Sequence, residues 1–294
     1  MIDIDIQTKT EVLLEALPYI QRFRESIFVV KFGGSFMDTE QAQHGVSIDL
    51  AFLATVGLRV VVVHGGGPAI NQAMAEAKLE PTFVNGLRVT DAATVKIVEQ
   101  VLNGKINPGI CDNLRAKGAL PAGVRGQDVL TCERLSTDSE GLPIDIGYVG
   151  QVKAVDADQI ERVLAQGNLP VISPVAKDKD GALYNVNADV AAAAVAGSLG
   201  ARRLVYLCDV PGLLRDPKNP DSLISTLQVE DVKELKADGT IGKGMLPKVE
   251  SAVNALHQGV HRVHFVDGRL PHSLLLEIFT DKGVGTEIVK TQED

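Results

Sequence analysis

Short apolar runs rich in β-branched residues alternate along the chain with longer segments whose apolar positions recur every three or four residues. Ile27–Phe32, Arg59–His64, Leu120–Val124, Val171–Val175, Leu204–Cys208 and Val263–Val266 read as strands. Residues 39–55, 69–77, 92–103, 108–117, 157–166, 188–199 and 244–257 carry the helical period. Such βα alternation predicts an α/β fold: an open, mainly parallel sheet sandwiched by helices. Residues 129–155 break the rhythm with short pieces around Asp138-Ser139-Glu140-Gly141 and Ile146-Gly147, which suggest hairpins over the sheet edge. Residues 8–25 predict a helix ahead of the first strand, with Thr8 and Glu11 at capping-box spacing and a stripe of Leu13, Ala16, Leu17 and Ile20. Pro18 is expected to kink it. The helix either packs on its own domain or forms an arm that docks on a neighbouring subunit. The expected division is an arm at 1–26, one lobe at 27–200 and a second at 201–294, with the boundary near Gly200.

Composition narrows the class. With 294 residues, 45% of them hydrophobic and 23% charged, the chain has an ordinary globular composition and can bury a large core. A net charge of -9 argues against general nucleic-acid binding, so any anion site must be local. Cys111, Cys132 and Cys208 are scattered without Cys-x-x-Cys spacing, which speaks against structural disulfides or a zinc site and fits a reducing cytoplasm. No membrane-spanning run or signal pattern is seen.

The chemistry concentrates in glycine-rich turns. Val29-Val30-Lys31-Phe32-Gly33-Gly34-Ser35 and Val61-Val62-Val63-His64-Gly65-Gly66-Gly67-Pro68 each end an apolar run in glycines. Such turns deliver backbone N–H groups to one rim of a parallel sheet, where anions bind, and Lys31 points to phosphate. The sequence lacks the P-loop pattern, the Gly-x-Gly-x-x-Gly fingerprint, His-Glu-x-x-His and Gly-x-Ser-x-Gly. Three further segments stand out: Asn85-Gly86-Leu87-Arg88-Val89-Thr90-Asp91, Asn185-Val186-Asn187-Ala188-Asp189 and Gly242-Lys243-Gly244-Met245-Leu246-Pro247-Lys248. Each has a bland explanation alone: glycines make turns, a lone lysine is solvated, and Asn-x-Asn-x-Asp caps a helix. Together on one rim they suit phosphoryl transfer, which needs alignment and charge neutralisation. A strand-end His64 is more readily an orienter of its glycine turn than a base.

From Ile27 to Val289 these segments resemble the amino-acid kinase family, and within it the branch acting on N-acetyl-L-glutamate. The resemblance implies two lobes on one continuous sheet, 27–200 for the acyl amino acid and 201–294 for ATP. It assigns Lys31 and Lys248 to the transferring phosphoryl group, with Asp189 holding both ammonium groups. Gly33, Gly34 and Gly66 would supply phosphate-binding amides. Gly66, Gly67, Arg88 and Asn185 would bind acetylglutamate, Arg88 as a planar fork on a carboxylate. Asp209, Gly212, Leu213, Gly244 and Met245 would line the ATP site. ATP is the expected co-substrate with Mg²⁺, whose ligands would come mainly from the phosphates, since no dedicated metal-binding residues are seen. A carboxylate nucleophile is already ionised at neutral pH and needs no base, which agrees with motifs rich in lysine and amides. Residues 124–130 and the insert at 136–147 depart from the family pattern.

The implied activity is formation of N-acetyl-L-glutamyl 5-phosphate, the second step of arginine biosynthesis. A kinase of a related acyl or carrier-bound amino acid of aminoadipate type, or a non-catalytic amino-acid sensor subunit, stays open. No acetyltransferase-like extension is expected after Asp294. Arginine-inhibited relatives also carry an N-terminal helix that interlaces dimers into a hexameric ring. They share a C-terminal segment like His272–Phe279 followed by Gly283–Thr286, which implies a homohexamer here and an arginine site using His272, Glu277 and Gly285. A nitrogen-signalling partner protein is implied too, with no nucleic acid and no membrane.

Overall fold

The computed structural model describes residues 5–33, 39–138, 141–216, 218–242 and 244–290. Gly34, Lys243 and the Ser139-Glu140 tip therefore lie outside the described residues. In chain order the first half runs α1 (Ile6–Phe23), β1 (Ile27–Phe32), α2 (Glu40–Thr55), β2 (Arg59–His64), α3 (Gly67–Glu76), β3 (Phe83–Val84), β4 (Leu87–Arg88) and α4 (Ala92–Val101). It continues with α5 (Asn107–Arg115), β5 (Pro121–Val124), α6 (Gly126–Val129), β6 (Leu130–Arg134) and β7 (Gly150–Val155). There follow α7 (Ala157–Ala165), β8 (Leu169–Ile172), β9 (Val175–Lys177), β10 (Leu183–Asn185), α8 (Ala188–Ser198) and β11 (Arg203–Cys208). The chain closes with β12 (Thr226–Gln228), α9 (Val232–Ala237), α10 (Leu246–His257), β13 (Arg262–Asp267), α11 (Ser273–Ile278) and β14 (Thr286–Val289).

One eight-stranded sheet has the order β12-β14-β13-β11-β1-β2-β8-β5. Its neighbours pair in parallel except β13 with β14. A four-stranded sheet, β10-β9-β6-β7, and the β3–β4 hairpin accompany it. The central strands are buried along their whole length, as expected where helices cover both faces. Alternate residues feed opposite cores: Val29, Val61 and Val63 pack with α7, α8 and α10, while Phe28, Val30, Phe32, Val60 and Val62 pack with α2, α5 and α11. That period of two puts Lys31 on the α8 face and His64 on the α5 face.

Several expectations are corrected in detail. Asp5, not Thr8, caps α1, its Oδ1 accepting from Thr8 N at 3.0 Å. Pro18 leaves the helix unbroken. The preceding turns are exposed, so water can take the Leu14 carbonyl that Pro18 leaves without a donor. The predicted stripe divides: Ile20 packs on the core with Tyr19 and Phe23, whereas Leu13 and Leu17 face solvent at 73% and 44% exposure. The run 171–175 is two strands, because Pro174 has no N–H for the ladder and the chain leaves the main sheet there. The helices over 92–103 and 108–117 join through a five-residue π-turn, Leu102–Ile106.

The small helix α6 sits hard against the exit of β8, and a Cβ at Gly126 would lie 2.0 Å from Ser173 O and 2.4 Å from Val175 O. Backbone cannot yield as a flexible side chain does. Gly126→Ala should therefore lower stability by about 3 kcal/mol in urea unfolding. An unchanged midpoint would contradict this packing.

Candidate active site

Parallel strands β1, β2, β8 and β11 end on one rim, the usual ligand edge of an open α/β sheet. Three helices begin there. Gly67 and Pro68 open α3, Ala188 and Asp189 open α8, and Leu246-Pro247-Lys248 open α10. Proline fits a first turn because its missing N–H has no partner to lose. The exposed amides and dipoles of these starts favour negative charge at the rim.

Asn187 caps α8, accepting from Asp189 N at 2.8 Å and Val190 N at 3.2 Å. The bland capping explanation thus holds for Asn187, and the cap leaves the Asp189 side chain aimed at β1. Asp189 Oδ1 lies 3.0 Å from Lys31 Nζ, and Oδ2 accepts from Lys248 Nζ at 2.5 Å. Lys31 is thus ion-paired with Asp189, and its Nζ also donates to Gly33 O at 3.4 Å. Burial alone would push the Asp189 carboxyl up, but the two ammonium groups outweigh it and hold it down at about 2. Burial would likewise lower Lys248, and the charge of Asp189 more than reverses that. Asp209 and Cys208 act on Lys248 as well, which puts the end of β11 beside the pair.

The two glycine turns abut. A Cβ at Gly33 would sit 2.9 Å from Gly65 N, and Gly65 N donates to Phe32 O at 2.8 Å. Gly66 is pressed by Ile106 and Leu102, which would stand 2.5 and 2.6 Å from a Cβ there. A cavity of about 290 Å³ opens beside them, lined among others by Lys31, Gly66, Gly67, Arg88 and Asn185. It unites the substrate-side residues expected from the sequence. Asn185 reaches Thr90 Oγ1 at 3.3 Å.

Arg88 is buried, and among the described residues no carboxylate pairs with it. It donates to Asn71 Oδ1 at 2.6 Å and Gly67 O at 3.4 Å, contacts Met74 Sδ at 3.2 Å, and lies 4.8 Å from the Phe83 ring centre. Burial pulls its pKa down. Asn71, Met74 and Phe83 had no sequence signal, since their role appears only when α3 and the hairpin close on Arg88. His64 is fully buried on the other face of the sheet, its pKa lowered to about 4 by burial, and its Nδ1 bonds Gly65 O at 2.9 Å. It orients the turn and does not face Lys31.

The expected ATP-side residues are more dispersed. Gly212 is crowded by Thr286 Oγ1, 2.6 Å from where a Cβ would be, and Leu213 N donates to that oxygen at 2.9 Å. The Leu213 side chain belongs to the core. Met245 N closes a turn onto Gly242 O at 2.9 Å ahead of α10, with Gly244 beside it. No group of three His, Cys, Asp or Glu among the described residues is arranged to hold a metal.

A second cavity, of about 400 Å³, lies by the C-terminal segment, with Tyr19, Arg203, Arg262, His264, Glu277 and Gly283 on its wall. Glu277 is already engaged: its Oε1 meets His264 Nδ1 at 2.7 Å, and its Oε2 accepts from Val284 N and Gly285 N at 2.7 and 2.9 Å. His272 does not line this cavity. Its Nδ1 meets Asp49 Oδ1 at 2.6 Å.

A mainly parallel α/β sheet flanked by helices is the fold class of the Amino acid kinase family. A profile of that family matches residues 26–267, and the chain belongs to it. It is 47% identical over 281 residues to acetylglutamate kinase from Synechococcus elongatus, covering 96% of this chain and 92% of that protein. It is 46% identical over 286 residues to acetylglutamate kinase from Akkermansia muciniphila, covering 97% and 96%. Among solved structures it resembles N-acetylglutamate synthase from Neisseria gonorrhoeae complexed with coenzyme A and N-acetyl-glutamate, with TM-score 0.85 and 28% identity. That match covers 96% of this chain, which spans only 64% of the synthase chain. Carbamate kinase from Giardia lamblia bound to AMP-PNP shares the fold, with TM-score 0.65 and 17% identity over 91% of this chain and 99% of that one.

Asp189→Asn leaves two poorly exposed ammonium groups without their counter-charge. Its cost should be about 3–5 kcal/mol at neutral pH. The folded carboxyl, at about 2, lies below its ordinary 3.8, so its stabilisation is complete above 3.8 and is lost as pH falls toward 2. Denaturant unfolding of both proteins should show a gap that narrows over that range. A gap of the same size throughout would contradict the ion-pair account.

Proposed function

We propose that this protein transfers the γ-phosphoryl group of ATP to the γ-carboxylate of N-acetyl-L-glutamate, giving N-acetyl-L-glutamyl 5-phosphate. The observation that carries the reading is the Lys31–Asp189–Lys248 arrangement beside a cavity whose buried Arg88 pairs with no carboxylate among the described residues. The names of the relatives at 46–47% identity support the choice of substrate. Arg88 would take the α-carboxylate of the acyl amino acid, assisted by Gly67 and Asn185. The side-chain carboxylate would then lie toward Lys31. A carboxylate oxygen forms a bond to the γ-phosphorus as the bond to the β–γ bridging oxygen breaks, and ADP leaves. No proton moves, so no base is needed. Lys31 and Lys248 offset the charge on the transferring group and the leaving phosphate, while the amides of Gly33, Gly34 and Gly66 receive equatorial oxygens. Asp209, Gly212, Leu213, Gly244 and Met245 belong to the nucleotide side in this reading, formed by residues 201–294. Mg²⁺ would be carried chiefly by the phosphates.

The test is ADP release by the purified protein with N-acetylglutamate, aminoadipate derivatives, or neither. N-acetylglutamate should be strongly preferred. Lys31→Ala and Lys248→Ala should each lower kcat by about 10²–10³ with smaller changes in KM. Near-normal turnover in either folded variant would overturn the assignment.

Arginine feedback and a hexameric ring belong to the same proposal. The first turns of α1 expose Ile6, Leu13, Leu14 and Leu17 on one side, an apolar face suited to a second copy, while Tyr19 and Phe23 stay on the parent core. The 400 Å³ cavity adjoins the end of that helix and mixes Arg203 and Arg262 with Glu277. Arginine bound there must favour one arrangement of the ring to act at a distance. Removing residues 1–17 spares the docked end. It should yield smaller, active particles by light scattering that arginine inhibits poorly. A full-length dimer indifferent to arginine would refute the regulatory part alone.

A further inference from the structure

The π-turn between α4 and α5 does more than join two helices. Its Leu102 and Ile106 press on Gly66, and its Asn103 Oδ1 accepts from Ser173 Oγ at 2.6 Å just past β8. The next residue, Asn107, is buried and reaches the end of β2. Asn107 Nδ2 lies 3.2 Å from His64 Nε2 and donates to Val171 O at 2.8 Å, while Oδ1 faces the Cys111 thiol at 3.8 Å. The Val171 bond fixes which end of the amide is nitrogen.

The protonation of His64 follows from its partners. An amide NH₂ only donates, so Nε2 accepts; a carbonyl only accepts, so Nδ1 carries the proton given to Gly65 O. The Gly65 carbonyl and the Gly66 N–H share one planar trans peptide and point in opposite directions. Holding that carbonyl on His64 turns the Gly66 N–H away from the ring, toward the cavity that Gly66 lines. π-Turns recur at functional sites, where the added residue re-aims side chains.

We propose that Asn107 is a positioning residue which, through the neutral Nδ1–H form of His64, sets the direction of the Gly65–Gly66 peptide so that the Gly66 N–H meets an oxygen of the reacting groups. The proposal rests on the kinase reading above. Among the described residues of β1, β8, α2, α5 and the π-turn, which include Asp49, Lys105 and Cys111, no charge acts on His64; burial and the Gly65 carbonyl bear on its proton.

The experiment compares full-length wild type, Asn107→Leu and Asn107→Asp by ADP release, with thermal melting as the check on folding. Asn107→Leu removes the donor, so kcat should fall by about 10²-fold, the scale of a misplaced catalytic contact, while KM for ATP stays put. Asn107→Asp sets only acceptors against Nε2. At neutral pH it should be impaired, and acidification should restore it relative to wild type, because a proton shared by His64 and the introduced carboxylate rebuilds the bond. A merely structural role, restored through the Val171 bond, would raise the melting temperature in step with kcat, whereas the positioning role restores kcat at an unchanged melting temperature. A wild-type kcat in Asn107→Leu, or a pH-independent ratio for Asn107→Asp, overturns the proposal. If Asn107→Leu does not fold, the Asn107→Asp ratio decides. A wild type inactive on N-acetylglutamate overturns the kinase reading and this proposal together, whereas an active wild type with unaffected variants overturns this proposal alone.

Discussion

Two ammonium groups held close together repel one another, and the rim of this protein is organised around the single carboxylate that makes their approach tolerable. Asp189 is buried and ionised, with Lys31 and Lys248 on its two oxygens. The three residues come from β1, α8 and α10, so the pairing is a tertiary product. It requires β1 beside β11, α8 across the face that Lys31 points to, and the start of α10 returned to the same rim. The alanine-rich α8 permits this closeness. At Gly197, a Cβ would meet the Gln258 side chain at 2.3 Å. In the proposed reaction, the cost of burying three charges would be offset when their residual positive field meets phosphate.

The second constraint is steric. Gly33 against Gly65, and Gly66 against Leu102 and Ile106, are contacts that side chains would prevent. They bring two strand ends near enough for backbone amides and the Lys31 ammonium to converge on one small volume. The machinery is therefore divided between the sheet faces: charge on the α8 side, and the His64–Asn107 support for the turn on the α5 side.

Much of this was legible in the chain. The runs at 27–32, 59–64 and 204–208 are apolar enough to announce strands of a covered sheet, and the glycines after the first two mark its rim. Lys31, Asp189, Lys248 and Arg88 stood in segments that have bland explanations singly and suit phosphoryl transfer only when taken together on one rim. What escaped was set by tertiary context. Pro18 reads as a break, yet an exposed helix tolerates it. Pro174 is a small mark in an apolar run, yet it sends the chain from one sheet to another. Strand β12 and helix α9 are too short to leave a period, and β14 reverses against β13 with no local sign. Asn71, Met74 and Asn107 are ordinary helical residues until α3 and the π-turn place them against Arg88 and His64. His272 and Glu277 lie five residues from each other, yet one goes to Asp49 and the other to His264.

The central claim is that the site makes an acyl phosphate. Its most direct test is hydroxylamine trapping of the full-length protein's product with ATP and N-acetylglutamate. An acyl phosphate gives a hydroxamate, and the account predicts N-acetylglutamyl hydroxamate in proportion to ADP, with none when either substrate is omitted. ADP released without hydroxamate, or hydroxamate formed equally well from an unrelated carboxylic acid, would contradict it.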